Sequence, residues 1–100
     1  MTQVALFVKL EAKAGKESDL AAFLEQGASM AQSEPETTAW FAVRFGPSTF
    51  AIFDAFEDEA GRDAHLNGDI AAALMQNAPE LLAEDPSIEK VDVIADKLPG

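Results

Sequence analysis

The sequence predicts an α+β domain in which helices cover one face of a four-stranded antiparallel sheet. Hydrophobic residues alternate with a period of two, as a strand requires, in four segments of the chain. In two stretches between these segments they recur every three or four residues, which is typical of amphipathic helices. The resulting element order is β-α-β-β-α-β, and two right-handed crossovers give it the ferredoxin-like topology.

The first strand and the first helix are predicted from the clearest patterns. Val4–Glu11 alternates large aliphatic residues with less apolar ones, which predicts a strand, and Gly15 then breaks the pattern. A helix follows, with the acidic residue Glu17 suited to its first turn. We expect this helix to end near Ser33, because Pro35 cannot continue it.

A β-hairpin is predicted from residues 39–45 and Thr49–Phe56, which are rich in aromatic and β-branched residues and flank a Gly-Pro-Ser turn. The turn can place Phe45 opposite the first or the second residue of the following strand. A shift of one residue moves every side chain to the other face of the sheet. The sequence leaves both registers open, and with them the faces on which Trp40 and Arg44 lie.

The second helix is predicted to run from Asp58, which can cap its N-terminus, to Asn67. Gly68 is expected to kink or split it, and Asp69 can cap a continuation that has its own apolar face. A last strand is predicted at residues 88–95, where apolar and polar residues alternate again.

Both faces of the predicted sheet are apolar. In the hairpin, Phe41 and Val43 alternate with Trp40 and Ala42, so neither face is polar. The helices cover only one face, and a monomer would expose a larger apolar patch than soluble proteins normally carry. We therefore predict a homodimer in which the same face of a second chain provides the cover.

The composition limits the partners. One hundred residues form a single domain, residues 1–100. The net charge of −11 disfavours binding to nucleic acid and to anionic membranes. No Cys and one His are too few ligands for zinc, so we predict no metal. No segment approaches the roughly 18 apolar residues of a membrane helix, and the start of the sequence lacks a secretion signal, which predicts a cytoplasmic protein.

Residues 38–66, TAWFAVRFGPSTFAIFDAFEDEAGRDAHL, resemble the hairpin and second helix of the antibiotic biosynthesis monooxygenase superfamily. The shared features are the aromatic strand end, the acidic Asp-Glu turn and the Ala-His-Leu of the helix, in the same order. The resemblance implies a dimeric α/β barrel with a pocket in each subunit between sheet and helices. The superfamily includes oxygenases that act on quinols without metal or flavin, haem-degrading enzymes and a signal-molecule isomerase.

The chain departs from the superfamily pattern at several positions. Phe56 and Ile52 stand where the oxygenases commonly carry Trp and Asn, which weakens the polar half of the pocket. The first strand, Val4–Glu11, offers no Asn of the kind that the haem-degrading enzymes use. The resemblance thus gives little support for haem, and we expect no cofactor.

Two residues are candidates for proton transfer. His65 is the only side chain whose ordinary pKa lies near neutrality, although a single His on a half-apolar helix is more often structural. Asp54 lies in mid-strand among apolar neighbours, where burial would raise the pKa of its carboxyl group and make it a base. Lys9 or Arg44 is expected to stabilise the anion that forms. Alternatively, Arg44 and Asp54 simply pair with each other or reach the rim of the sheet.

Four residues are candidates for substrate binding. Trp40 offers an aromatic face for stacking, although a core or dimer-interface position is the commoner one for Trp. A charged side chain such as that of Arg44 in mid-strand lowers the stability of the fold unless it is paired or lines a pocket. Ile52 and Phe56 share the face of Asp54 in either register, and Phe56 is the best candidate for a pocket wall.

Two functions fit these residues. The first is a cofactor-free monooxygenase that acts on a small aromatic or quinol-type substrate in a pocket between sheet and helices, with His65 assisting deprotonation. The second is a non-catalytic, small-molecule-binding or stress-related dimer whose pocket is filled by Phe side chains. A cavity of roughly 300 Å³ or more that a polar group reaches would favour a ligand site.

Overall fold

The computed structural model describes residues 2–99, so the first and last residues of the predicted domain lie outside it. It has the predicted element order, with the second helix divided in two. Four antiparallel strands form one open sheet, and three helices pack on one of its faces. The elements are β1 (Val4–Glu11), α1 (Glu17–Ala31), β2 (Thr37–Arg44), β3 (Thr49–Phe56), α2 (Glu59–Leu66), α3 (Asp69–Leu81) and β4 (Ser87–Asp92).

The hairpin register, which the sequence left open, is resolved in favour of Phe45 opposite Thr49. The Phe45 N–H donates to the Thr49 carbonyl at 2.8 Å, and the ladder continues so that Trp40 lies opposite Asp54. Side chains of directly opposed residues share a face. Trp40, Arg44 and Asp54 therefore all lie on the helix side of the sheet, together with Ile52 and Phe56.

The sheet order is β2-β3-β1-β4, so that β2 and β4 are edge strands. β2 begins at Thr37, two residues before the predicted start, with an irregular register between Thr37 and Ala39. β4 ends at Asp92, three residues short of the predicted end. Asp92 lies opposite Val4, the first residue of β1, and beyond this pair only one hydrogen bond continues the ladder, from the Val93 N–H to the Gln3 carbonyl at 2.9 Å.

The predicted split of the second helix at Gly68 is confirmed. The Asp58 side chain caps α2, as expected, by accepting from the Gly61 N–H at 2.9 Å. The predicted cap at Asp69 is wrong, because Gly68 occupies the cap position of α3 and no side-chain hydrogen bond caps this helix. Asp69 instead lies in the first turn, where its negative charge interacts favourably with the positive end of the helix dipole.

The core fills the space between the helices and the sheet. Residues of β1 and β3 pack there against α1 and α3, and the largest fully buried side chains include Leu6, Leu10, Leu20 and Phe56. Burying each of these residues contributes about 2 kcal/mol relative to leaving it exposed. The α+β fold therefore has one ordinary hydrophobic core on the helix side.

The opposite side of the sheet, which we name the open face, carries a row of three phenylalanines across three strands. Phe7 of β1 lies opposite Phe53 of β3, which in turn lies opposite Phe41 of β2. Phe41, Val43 and Phe53 are exposed. Their exposed fractions are 55%, 42% and 37%, respectively. Among residues 2–99, no helix is long and apolar enough to span a membrane.

The two aspartates at the starts of α2 and α3 provide a matched test of capping. Asp58→Ala should lower the free energy of unfolding by about 1 kcal/mol, because the Gly61 N–H loses its acceptor. Asp69→Ala removes the same charge but no hydrogen bond, and should lower it by roughly 0.3 kcal/mol. Urea unfolding of both variants measures this difference. Equal losses would contradict the assignment of the cap.

Candidate functional site

Three ionisable side chains from separate segments meet on the helix side of the sheet. His65 of α2 contacts Asp54 of β3 through Nε2, at 2.8 Å from Oδ2. Its other ring nitrogen, Nδ1, lies 2.7 Å from Oε1 of Glu34, in the turn between α1 and β2. Thr37 donates its hydroxyl to the same Glu34 oxygen at 2.8 Å. We name the group Asp54–His65–Glu34 the histidine bridge.

The bridge favours a doubly protonated His65. Burial by itself lowers the pKa of His65, but hydrogen bonds to Asp54 and Glu34, reinforced by both negative charges, outweigh it and raise the pKa above 6.5. A carboxylate can only accept hydrogen bonds, so both ring nitrogens must donate. The bridge is therefore a buried positive charge held between two negative ones.

This geometry changes the assignment of the predicted base. Both nitrogens of His65 are occupied, so the ring has no free lone pair with which to take a proton from a substrate. Asp54 uses only Oδ2, and its Oδ1 is buried without a hydrogen-bond partner. Asp54 is thus the member of the bridge that has an acceptor to spare.

Trp40 supplies a buried donor that also lacks a partner, its indole Nε1. The six-membered ring of the indole lies against Gly27 of α1, where an added Cβ would stand 3.1 Å from Cζ2. A larger residue at position 27 would displace the indole. Trp40 also lies directly opposite Asp54 across the hairpin, so a free donor and a free acceptor occur on neighbouring residues of one face.

An open cavity of about 490 Å³ lies between α1 and β2, beside Trp40. Aromatic rings, alanines and two charged side chains form its walls. Phe50 is stacked beneath Arg44, whose guanidinium carbon is 4.6 Å from the ring centroid. The lining residues are Ala21, Leu24, Glu25 and Ala28 of α1, residues 40–44 of β2, and Phe50 of β3.

The predicted site residues fall into two groups. Trp40 and Arg44 line the cavity. Ile52 and Phe56 belong to the hydrophobic core instead, and Phe56 packs against His65 with 5.3 Å between ring centroids. The alternative ion pair of Arg44 with Asp54 is not formed, since Asp54 pairs with His65 and Arg44 stacks on a ring.

Sequence reasoning missed Glu34, Glu25 and Phe50 as parts of this region. Glu34 precedes a proline in a turn, where an acidic residue is ordinarily solvated, and no local pattern links it to a histidine 31 residues later. Glu25 faces the cavity from α1. The open cavity itself lies against the first helix, whereas His65, the residue expected to transfer a proton, lies on the second helix. Among residues 2–99, no group of three or more His, Asp or Glu could hold a metal ion.

Similarity to solved structures decides the family. A protein of unknown function from Nitrosomonas europaea has a crystal structure that matches this chain with a TM-score of 0.97 and 63% sequence identity, covering 100% of this chain and 97% of that one. This chain belongs to the same protein family. No protein-family model matches the chain, and no curated protein matches it either.

More distant matches within the same comparison identify the fold. An antibiotic biosynthesis monooxygenase matches with a TM-score of 0.80 at 14% identity, over 92% of this chain and 99% of the other. A protein from Shewanella oneidensis matches with a TM-score of 0.82 at 23% identity, over 92% of this chain and 91% of the other. The chain has the ferredoxin-like fold of the antibiotic biosynthesis monooxygenases, as its sequence predicted.

The histidine bridge predicts a pH-dependent stability. A group whose pKa is raised on folding stabilises the folded state fully below its unfolded pKa, here about 6.5, and loses that effect as the pH rises through the folded value. The free energy of unfolding should therefore fall as the pH rises above about 6.5. In His65→Gln this fall should be absent. Parallel pH profiles of the two proteins would show that the bridge is not charged as described.

Proposed function

We propose that the protein is a cofactor-free monooxygenase acting on a small aromatic phenol or quinol bound in the cavity between α1 and β2. The observation that carries this proposal is a pair of buried atoms without hydrogen-bond partners: Trp40 Nε1, on a residue that lines the cavity, and Oδ1 of Asp54, the residue directly opposite Trp40 in the sheet. A hydroxyl group donates one hydrogen bond and accepts another. A substrate hydroxyl would satisfy both atoms at once.

The chemistry requires an electron-rich anion, which dioxygen can oxidise. Asp54 would take the hydroxyl proton at Oδ1, and the Trp40 N–H would then donate to the resulting oxyanion. The deprotonated hydroxyl becomes one carbonyl of a quinone, while a ring carbon conjugated with it loses its single C–H bond and gains a second C=O bond. One oxygen atom of dioxygen enters that carbonyl and the other leaves as water, so the substrate supplies all the electrons.

His65 acts in this scheme as a positioning residue. It holds Oδ2 of Asp54 at 2.8 Å, and thereby fixes the direction of the free Oδ1. Lys9, which we considered for stabilising the anion, lies on the open face, because it is opposite Ala51 in the sheet.

A second candidate function is ligand binding without catalysis. It is favoured by one observation, which is that His65 is fully engaged in an ion network joining three segments of the chain. Such a network is also what a purely structural histidine would form. Binding of aromatic ligands without oxygen consumption would then be the whole activity.

Oxygen-electrode assays with a panel of anthrones and quinols separate these functions. For any substrate that is turned over, Asp54→Asn should lower kcat about a hundredfold or more, because the proton acceptor is lost. His65→Gln should retain more activity and shift the pH profile, as expected of a positioning residue. Asp69→Asn makes the same chemical change at an exposed site and should have no effect.

Two results would count against the proposed reaction. Full activity of Asp54→Asn in a variant that folds normally would remove the carboxylate from the mechanism. Saturable binding of a quinol by the native protein with no oxygen uptake would favour the binding function. Circular dichroism and thermal unfolding of each variant establish that the protein is folded before activity is compared.

The proposal includes a homodimer formed through the open face. Phe41, Val43 and Phe53 are exposed there, and Phe41 and Phe53 belong to a continuous row of phenylalanines across three strands. A second copy would cover the row of phenylalanines with an identical row. The two sheets would then enclose the barrel that the family resemblance implies.

The dimer is tested by two matched substitutions. Phe53→Asp should shift the mass measured by light scattering from twice 10.7 kDa to 10.7 kDa, because a charge would be buried in the interface. Met75→Asp introduces the same charge at an exposed position of α3 on the helix side and should leave the mass unchanged. A native protein that scatters as a monomer at micromolar concentration would disprove the dimer.

A further inference from the structure

Arg44 is a cation without a carboxylate partner in a strongly acidic chain. Eighteen acidic residues outnumber seven basic ones, yet within residues 2–99 no carboxylate lies in ion-pair contact with Arg44. Its only described interaction is the stack on Phe50, 4.6 Å from the ring centroid. A cation–π contact of this kind occupies none of the guanidinium N–H donors with a hydrogen-bond acceptor, so they remain available to a ligand.

Arg44 lies at the opposite end of the cavity from Trp40. Trp40, Ala42 and Arg44 alternate along one face of β2, so the two ends are four residues apart, or about 13 Å along the strand. At that separation, a guanidinium held over Phe50 does not reach a hydroxyl group placed beside Asp54. Arg44 must therefore contact a different part of any ligand.

The space between the two ends suits a flat ring system. Ala42 forms the floor and is exposed although it points toward the helix side, which means that no side chain packs above it. Ala21 and Ala28 of α1 face it across the cavity. Three methyl side chains leave a smooth apolar slot, and aromatic rings fill such slots with little loss of conformational entropy.

We propose that this cavity binds an elongated aromatic compound that carries an anionic group, such as a carboxylate, at the end that contacts Arg44. The proposal rests on the proposed function for the location of the site, and it adds the class of ligand. Planar, bidentate pairing makes a carboxylate a strong partner for a guanidinium group. With a net charge of −11, long-range electrostatics repel such a ligand, so its recognition depends on this one local cation.

Glu25 gives the proposal a second, opposite test. It lines the same cavity from α1 and is exposed. Its negative charge opposes an anionic ligand, so its removal should strengthen binding where removal of Arg44 weakens it. Two substitutions at one cavity therefore have predicted effects of opposite sign, which a general loss of folding cannot produce.

Trp40 makes the experiment specific to this cavity. It is the only Trp in the chain, so the indole N–H gives a single signal in a nitrogen–proton NMR spectrum. The probes are anthraquinone-2-carboxylate and its neutral analogue 2-(hydroxymethyl)anthraquinone, which share the ring system and differ in charge. Titration of each, followed through the indole signal and by calorimetry, gives two affinities for the same site.

We expect the carboxylate to bind about tenfold tighter than the alcohol, which is the scale of one charge-assisted contact. Arg44→Gln should abolish this preference, and Glu25→Gln should increase it. Lys90→Gln is the matched control, because it removes a cation from the same sheet face at the opposite edge strand and should leave the preference unchanged.

The outcomes separate the two proposals. Equal affinity for the two probes, or a preference that survives in Arg44→Gln, would overturn the anionic class while leaving the aromatic site intact. Failure of both probes to move the indole signal at millimolar concentration would overturn the site and the inference together. A carboxylate preference that disappears only in Arg44→Gln supports both.

Discussion

The contact of His65 with two carboxylates is the interaction on which the rest of this site depends. Asp54 is almost completely buried, and a buried charge without a partner costs several kcal/mol. His65 offsets this cost by pairing with Asp54 through Nε2, and it binds Glu34 through Nδ1. Because Gly61 has no side chain, the turn that contains Glu34 can approach α2 closely, and an added Cβ at Gly61 would stand 3.3 Å from Cβ of Glu36. The start of β2, and hence the position of Trp40, follows from this docking.

The same interaction limits the chemistry that His65 can perform. A histidine poised as a general base needs one nitrogen free and a pKa near the working pH. Here both nitrogens are engaged, and the pKa is raised by the two carboxylates. The imidazole ring instead holds Oδ2 of Asp54 at 2.8 Å. Two groups that appear in the sequence as competing bases are therefore in direct contact in the structure.

The sequence was sufficient for the fold because its signals are local. Period-two alternation located all four strands, and Gly68 located the break between α2 and α3. The site was only partly predictable, since its geometry depends on register and on contacts between distant segments. One hydrogen bond at the turn, from Phe45 to Thr49, decides that Trp40 and Asp54 share a face. Glu34 could not be predicted as a partner of His65, because nothing in the local sequence distinguishes it from a solvent-exposed glutamate in a turn.

The edge strand β2 links the cavity to the open face. Trp40 and Arg44 extend from one side of its backbone, while Phe41 and Val43 extend from the other. β2 pairs only with β3, so one side of it lacks a neighbouring strand to hold it. A movement of β2 that widens the cavity therefore also displaces the exposed residues of the open face. Covering that face would restrain β2 and fix the width of the slot above Ala42, so the shape of the ligand site and the state of the open face are not independent properties of this fold.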